Sequence, residues 1–339
     1  MGNNVNRREL FRGAAAGLAG VAALPWMIHH PADAQDASAA SWPDRPITSI
    51  VPVAAGGIID ILSRAVGDAI KTSLGATVIT ESRPGADHLI GIRAAAHSAP
   101  DGYTWLFGSV PFTVNPSLRT DAGYDPVADF TPLQLIASSP NVLVVPSSIP
   151  AKTVSEFVAL AKAKPGVFNY ANPGNGSSNH LCMELFKQIS ETDIVSIVYK
   201  GQPPAITDLI SGRVEAMMIS SSLVGPHVAS GALRALASIS PERVSSLPEV
   251  PTMAEAGFKE VDVVPWFGLF APAKTPSAIV QKASGALHEA LKSEDLITKI
   301  NRIGATAYPP NSPEKFAELI KADLKRWPDL IKRAGIKPT

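Results

Sequence analysis

The stretch Ile47-Thr48-Ser49-Ile50-Val51-Pro52-Val53-Ala54-Ala55-Gly56-Gly57-Ile58-Ile59-Asp60 indicates the fold of this chain. Its first half is apolar and rich in β-branched residues, which predicts a strand. Gly56-Gly57 then predicts a turn, after which apolar residues recur at helical spacing, at Leu62, Ala65, Val66, Ala69 and Ile70. A strand that passes through glycines into a helix directs unpaired backbone N–H groups at one point, where the helix dipole favours negative charge. The stretch therefore predicts an anion-binding helix start.

Strands and helices alternate through the rest of the chain. Apolar runs predict further strands over residues 76–80, 103–107, 141–145, 168–171, 194–199, 216–220, 233–239 and 267–271. Helical spacing predicts helices over 89–96, 181–189 and 205–210, around 157–161, and over 279–291 and 316–331. Such alternation predicts an α/β protein with parallel sheets covered by helices. The pattern runs through two rounds, which predicts two lobes, and ligands of such sheets bind at the carboxyl ends of the strands.

Four turns share one pattern, in which a strand leads through small residues into a helix start: residues 54–60, 85–89, 172–181 and 200–205. A single turn of this kind is weak evidence, because tight strand–helix connections use glycine for backbone reasons. Two such turns in each lobe predict a cleft in which both lobes offer helix amides to one ligand. The predicted ligand-binding residues are Ala54, Ala55, Gly56, Gly57, Asp60, Ala86, Asp87, His88, Ser109, Gly174, Gly176, Ser177, Ser178, His180, Tyr199, Gly201, Ser220 and Ser221.

Several of these residues have an alternative, structural interpretation. Asp60 is placed in the first turn of a helix, where an acidic side chain is favourable through the dipole alone. His180 opens a helix and is predicted to be either a structural cap or a donor to the ligand. Arg64, Arg83 and Arg93 are basic residues that a carboxylate ligand would attract, but their positions favour solvated or structural roles.

The motifs of most catalytic and cofactor sites are missing. Gly174-x-Gly176 lacks the third glycine of a dinucleotide fingerprint, since Asn179 stands there, and no nucleotide P-loop or G-x-S-x-G element occurs. The histidines have no metal-binding spacing, and the single cysteine, Cys182, excludes an internal disulfide and thiolate-zinc sites. We therefore expect no cofactor, no bound metal and no enzymatic activity. The alternative is an exported hydrolase that uses a serine with His180.

Residues 1–34 are predicted to be an export signal, cleaved after Ala34, which places the mature protein in the periplasm. Paired arginines, Arg7-Arg8, precede an apolar run, and Ala32-Asp33-Ala34 fits a cleavage site. The pair is consistent with a twin-arginine signal or with an ordinary secretory signal. The whole chain has 30 basic and 30 acidic residues. This balance argues against a nucleic-acid partner, and we expect a monomer.

The chain resembles the Bug family, the extracytoplasmic solute receptors of tripartite tricarboxylate transport systems. The opening match is Trp42-Pro43-x-x-Pro46-Ile47 with Val51-Pro52 and Ala55-Gly56-Gly57-x-x-Asp60. Further matches, in order, are Glu81-x-Arg83-Pro84-Gly85-Ala86, Ala99-Pro100-Asp101-Gly102-Tyr103-Thr104, Tyr124-Asp125-Pro126, Gly212-x-Val214, Gly231-x-Leu233-Arg234-Ala235-Leu236-Ala237, Leu247-Pro248-x-Val250-Pro251-Thr252-x-Ala254-Glu255-Ala256-Gly257 and Trp266-Phe267-Gly268-Leu269-Phe270-Ala271-Pro272. They span almost all of the chain after residue 34.

The resemblance implies a type II periplasmic binding-protein fold with two crossovers, near 141–145 and 267–271. Lobe 1 is then residues 35–140 plus 265–339, and lobe 2 is residues 141–264. The implied function is capture of a small organic acid, usually a carboxylate, for the membrane subunits of a tripartite tricarboxylate-type transporter. Aromatic and dicarboxylic acids are among the candidates. A receptor that serves only signalling is an alternative. Members of the family hold the carboxylate with backbone amides and water, without an arginine salt bridge.

The sequence departs from the family pattern at three places near the predicted cleft. Members commonly have two glycines where this chain has Asp87-His88, and a small or hydroxylated pair where it has Ile58-Ile59. Ser220-Ser221-Ser222 stands where members often have an Asp-Asn pair. Ile58 and Ile59 are predicted either to select a larger or aromatic acid or to pack into the core of lobe 1.

Overall fold

A computed structural model describes residues 41–199, 201–244, 246–333 and 335–336. The predicted export segment, residues 1–34, lies outside the described residues. No helix within the described ranges has the length and apolar character needed to cross a membrane. The strands are β1 Ile47–Val51, β2 Val78–Ser82, β3 Thr104–Ser109, β4 Phe130–Ser138, β5 Asn141–Pro146, β6 Asn169–Asn172, β7 Val195–Val198, β8 Ala216–Ser220, β9 Leu233–Ile239, β10 Trp266–Pro272 and β11 Thr306–Ala307. The helices are α1 Ile58–Leu74, α2 Leu89–Ala96, α3 Pro111–Leu118, α4 Val154–Ala163, α5 Ser178–Ser190, α6 Gln202–Ile210, α7 Ser221–Ala229, α8 Ser277–Ala290, α9 Glu294–Arg302 and α10 Pro313–Arg333.

The described strands form two sheets with the same internal pattern. The six-stranded sheet of lobe 1 has the order β11-β4-β10-β3-β1-β2, and the five-stranded sheet of lobe 2 has the order β7-β6-β8-β5-β9. In each sheet the three strands that lead into helices run parallel, β2-β1-β3 in lobe 1 and β7-β6-β8 in lobe 2. In each, a fourth strand then joins antiparallel, β10 in lobe 1 and β5 in lobe 2. The predicted α/β class with two lobes is confirmed.

Helix α1 shows why the opening stretch folds as it does. Its residues at helical spacing, Ile59, Leu62, Val66 and Ile70, are buried against the sheet of lobe 1. The helix ends at Gly75, which adopts φ 73° and donates its N–H to the Lys71 carbonyl. Because glycine has no Cβ, the left-handed backbone conformation costs it little energy, and Gly75 ends the helix without steric strain.

Element boundaries differ from the predictions where polar or proline residues lie inside an element. Strand β2 lies two residues later than predicted, at Val78–Ser82. Helix α5 begins at Ser178, three residues before the first apolar residue that revealed it, because Ser177 caps it. Helix α6 begins at Gln202, so Pro203-Pro204 belongs to its first turn and not to the preceding turn. Proline suits that position because the N–H groups of a first helical turn have no intrahelical partner.

The chain passes between the two sheets twice, directly before β5 and before β10, as the resemblance implies. The C-terminal helix α10 packs near the second passage, where the buried carboxylate of Asp323 accepts hydrogen bonds from Trp266 Nε1 at 2.8 Å and Thr113 Oγ1 at 3.1 Å. Burial raises the pKa of Asp323. Because Trp266 opens β10 and Thr113 lies in α3, this carboxylate joins the second passage to the helix that borders the cleft.

Candidate functional site

The predicted turns lie at the carboxyl ends of adjacent parallel strands. In lobe 1, Ala54, Ala55, Gly56, Gly57 and Asp60 follow β1, Ala86, Asp87 and His88 follow β2, and Ser109 ends β3. In lobe 2, Gly174, Gly176, Ser177, Ser178 and His180 follow β6, Tyr199 and Gly201 follow β7, and Ser220 and Ser221 join β8 to α7. Since the three strands are neighbours within each sheet, each group lies along one sheet edge.

The two edges meet across a cleft. An ideal Cβ on Gly176 of lobe 2 would lie 2.5 Å from Leu118 Cδ1 at the end of α3 in lobe 1. Beside this contact lies a cavity of about 380 Å³ lined from lobe 1 by Asp87 and Arg119 and from lobe 2 by His180. Two of the predicted site residues, Asp87 and His180, therefore line one cavity from opposite lobes. The other predicted residues lie along the two edges and do not line this cavity.

Most helices that begin at these edges start without a side-chain cap. In lobe 1, α1, α2 and α3 follow Gly57, His88 and Val110, none of which makes a capping hydrogen bond through its side chain. In lobe 2, α6 and α7 are likewise uncapped, whereas Ser177 caps α5. The first N–H groups of a helix have no intrahelical acceptor. The starts of α1 and α2 therefore leave amide donors at the edge of lobe 1. Prolines stand in the first turns of α3 and α6, and the first N–H of α7, from Ser221, bonds the Pro140 carbonyl.

Three buried polar atoms at the edge of the lobe 1 sheet have no hydrogen-bond partner among the described residues. They are the hydroxyl of Ser82 at the end of β2, the hydroxyl of Ser109 at the end of β3, and Nδ1 of His88. Buried polar atoms are nearly always hydrogen-bonded to protein or to ordered water, so each of these three atoms requires water or a ligand as its partner.

The loop between β2 and α2 holds a strained backbone. Ala86, Asp87 and His88 adopt φ values of 46°, 50° and 77°, a left-handed conformation that side chains with a Cβ rarely adopt. Asn115 Nδ2 donates to the Asp87 carbonyl at 2.8 Å, and the Arg119 guanidinium pairs with the Asp87 carboxylate. Burial lowers the pKa of His88 to about 4, so its imidazole is neutral at pH 7. Strain held in place by such contacts is characteristic of binding sites.

Asp60 and the isoleucines before it hold the first turn together. The Asp60 carboxylate accepts the Gly56 N–H at 3.0 Å and pairs with Arg64 at 3.0 Å. The Gly56 N–H, which we predicted to bind the ligand, is therefore already hydrogen-bonded to Asp60. This favours the structural interpretation of Asp60. Ile59 is buried in the core of lobe 1 and Ile58 packs against that core, which supports the packing alternative for this pair.

Replacing Asp60 with asparagine is expected to lower the free energy of unfolding by about 1 kcal/mol at pH 7, because a charged hydrogen bond to Arg64 is lost. The hydrogen bond from Arg64, aided by that from Gly56, lowers the pKa of Asp60 against the opposing effect of burial. A lowered carboxyl pKa stabilises the fold above the unfolded-state value near 4 and ceases to do so as the pH falls through the folded value. Urea unfolding at pH 7 and pH 3 should show the difference shrinking in acid. Exposed Asp68 on the same helix provides the control, Asp68→Asn. An equal loss at both pH values would contradict the assignment.

Residues of the second lobe have partners that define their roles. His180 accepts the Gly176 N–H on Nδ1 at 3.2 Å, which makes it a cap for its own loop. The Ser177 hydroxyl accepts the backbone N–H of His180 and donates to the Gly174 carbonyl. No hydrogen bond therefore joins this hydroxyl to the imidazole. The Tyr199 hydroxyl donates to Asp208 at 2.9 Å, within lobe 2. The His180 ring therefore caps the loop, which is one of the two predicted roles, and it also lines the cavity.

The family model described as the tripartite tricarboxylate transporter family receptor matches residues 62–336. The chain belongs to this family. Protein BugT of Bordetella pertussis is 36% identical over 302 residues, which cover 88% of this chain and 92% of BugT. A solved R. palustris structure with adipate is 32% identical, with a TM-score of 0.79, covering 88% of this chain and 100% of that one. MatC from Rhodopseudomonas palustris with bound malate is 31% identical, with a TM-score of 0.76, covering 86% and 100%. The resemblance found in the sequence and its type II periplasmic binding-protein fold are confirmed.

The tripartite tricarboxylate transporter receptor fold brings to the cavity several residues that sequence reasoning missed. From lobe 1 these are Asn115 and Arg119, and from lobe 2 Asn175, Glu184 and Ser196. Arg119 directly follows α3, a helix without a clear apolar period, and no motif joins it to Asp87. By contrast, Arg64, Arg83 and Arg93 bond to Asp60, Glu81 and the carbonyls of 121–122, which are structural roles as predicted.

Proposed function

We propose that this receptor captures a small organic carboxylate between its lobes and delivers it to the membrane subunits of a tripartite tricarboxylate-type transporter. The observation that carries the proposal is the pair of uncapped helix starts, α1 and α2, at the edge of the lobe 1 sheet, where the buried unpaired groups of Ser109 and His88 also lie. Helix N-termini bind carboxylates through free amides and the helix dipole. The relatives solved with adipate and with malate support the same class of ligand.

The rest of the proposal follows from the sequence. The mature protein begins after Ala34, is exported to the periplasm and acts as a monomer. Its lobe 1 comprises residues 35–140 plus 265–339 and its lobe 2 residues 141–264. Closure of the lobes on the ligand is a hinge motion, since a ligand that contacts both lobes favours the closed arrangement. The hydrolase alternative gains no support from Ser177, because His180 Nδ1 accepts the Gly176 N–H and the Ser177 hydroxyl bonds the Gly174 carbonyl.

A thermal-shift screen tests the proposal directly. The purified receptor should be stabilised by at least one acid from a panel of aliphatic and aromatic mono- and dicarboxylates. At a ligand concentration a hundredfold above Kd the stabilisation is about 2.7 kcal/mol, which raises Tm by roughly 5 °C for a chain of this size. The methyl ester or amide of the same acid provides the matched control. Stabilisation by neutral solutes, with none by any acid, would show the carboxylate assignment to be wrong.

A further inference from the structure

The cavity between the lobes contains an ion pair that the backbone of both partners holds in place. Arg119 pairs with Asp87, and their side chains are 27% and 51% exposed. Arg119 also donates its backbone N–H to the Asn115 carbonyl at 3.0 Å, while Asn115 Nδ2 holds the Asp87 carbonyl. A guanidinium has five N–H donors in a fixed plane. One is bonded to Asp87 Oδ2, so the others are available to a second acceptor in the cavity.

The opposite wall offers donors from lobe 2. Because His180 Nδ1 accepts the Gly176 N–H, the proton of its neutral ring lies on Nε2. Burial lowers the pKa of His180, which keeps the ring neutral at pH 7. Asn175 accepts from Asn172 through Oδ1, which leaves its Nδ2 group as a donor. The nearby carboxylate of Glu184 is neutralised by Lys187 Nζ at 2.8 Å.

We infer that Arg119 and His180 form a distal subsite, across the cleft from each other, for the second carboxylate of a dicarboxylate ligand. The inference rests on the proposed function, in which the helix starts hold the first carboxylate. Asp87 is then an internal counter-anion that competes with the second carboxylate of the ligand for Arg119. A ligand with one carboxylate leaves the Asp87–Arg119 pair unchanged. A ligand with two carboxylates gives Arg119 a second charged acceptor. The hydrogen bonds between them are strong because the planar guanidinium matches the geometry of a carboxylate.

Calorimetric titration with ligands of matched length tests this subsite. Succinate is compared with butanoate, and adipate with hexanoate, on the wild type and on Arg119→Gln. The ratio of dicarboxylate to monocarboxylate affinity should fall at least about tenfold in Arg119→Gln, the range expected when a charged hydrogen bond is removed. Arg83→Gln is the control, since Arg83 lies on the same loop, pairs with Glu81 and does not line the cavity. It should leave the ratio within about twofold of the wild-type value, because exposed charges are screened.

Asp87→Asn provides a second test that does not depend on the stability of the Arg119 variant. Asparagine tolerates the left-handed φ of 50° at this position, so the loop keeps its shape. Removing the internal competitor should raise dicarboxylate affinity several-fold. A fall in dicarboxylate affinity, or an unchanged ratio in Arg119→Gln, overturns the subsite while leaving carboxylate capture intact. If the wild type binds none of the four acids but the wider screen finds a monocarboxylate ligand, the proposed subsite is rejected and the proposed function is retained. If no acid of either set binds, the proposed function itself fails.

Discussion

Replacing Gly268 with alanine is expected to lower the free energy of unfolding by about 3 kcal/mol, because the new methyl group has no space. Gly268 lies in β10, and an ideal Cβ there would overlap the ring edge of Phe316, with Cε1 at 2.6 Å. The Gln134 carbonyl lies 3.0 Å away on another side. Phe316 is fully buried and its ring contacts Trp266 and Phe270 at centroid distances of 5.5 and 4.7 Å. Neither the ring nor the strand therefore has room to yield.

The measurement is urea unfolding of the purified variant followed by circular dichroism. Gly285→Ala is the matched control, since Gly285 lies inside helix α8 and an added Cβ would meet nothing within 4 Å. Alanine there should stabilise the protein by up to about 1 kcal/mol, the difference in helix propensity. If Gly268→Ala unfolds within about 1 kcal/mol of the wild type, the packing of α10 against β10 is looser than the structure shows.

Sequence periodicity predicted the elements whose apolar residues recur without interruption. Strands β8 and β9 and helix α2 have the predicted bounds, because apolar residues predominate in each of them. Strand β4 was missed, since Pro132 and two register shifts against β10 break its alternation. Helices α3 and α7 contain Pro116 and Pro226, which hide a helical pattern. Helix α9 was missed although Leu296 and Ile300 have helical spacing and are buried.

The position of the cleft followed from topology, whereas its chemistry did not. Parallel strands place their carboxyl ends at one edge, so the four turns located both edges without any coordinates. The Asp87–Arg119 pair joins residues 32 positions apart, through a helix that the sequence did not reveal. The bond between Gly56 and Asp60 also escaped prediction, since a first-turn carboxylate is favourable with or without it. Pairings of this kind depend on tertiary geometry, which a local sequence pattern does not specify.

Replacing Gly304 with alanine is expected to disturb the contact between the lobes and to weaken ligand binding at least about tenfold. Gly304 precedes β11 of lobe 1, has φ 70°, and accepts a hydrogen bond from Ser221 Oγ of lobe 2 at 3.2 Å. An ideal Cβ would overlap Cα and Cβ of Ser222, with the Ser222 backbone N at 2.9 Å. Because the obstacle is backbone, a change of rotamer does not remove it, and the two lobes must separate locally. The Ser222 hydroxyl is also hydrogen-bonded to the Ser220 hydroxyl. That hydroxyl is in turn hydrogen-bonded to the hydroxyl of Ser139 at the first passage between the sheets.

The strain of a left-handed alanine must be separated from the contact itself, and Gly231→Ala does so. Gly231 has φ 74°, but an added Cβ there would meet nothing within 4 Å. Both variants should lose about 1 kcal/mol or more of stability from the backbone conformation. Only Gly304→Ala should also reduce the affinity for the acid found in the thermal-shift screen, measured by calorimetry. Small-angle X-ray scattering with saturating ligand should show a larger radius of gyration for it than for Gly231→Ala. If the two variants bind the acid with equal affinity, the Gly304–Ser222 contact is not needed for the lobes to close. A hinge motion then brings the lobes together although the backbone at this contact is displaced.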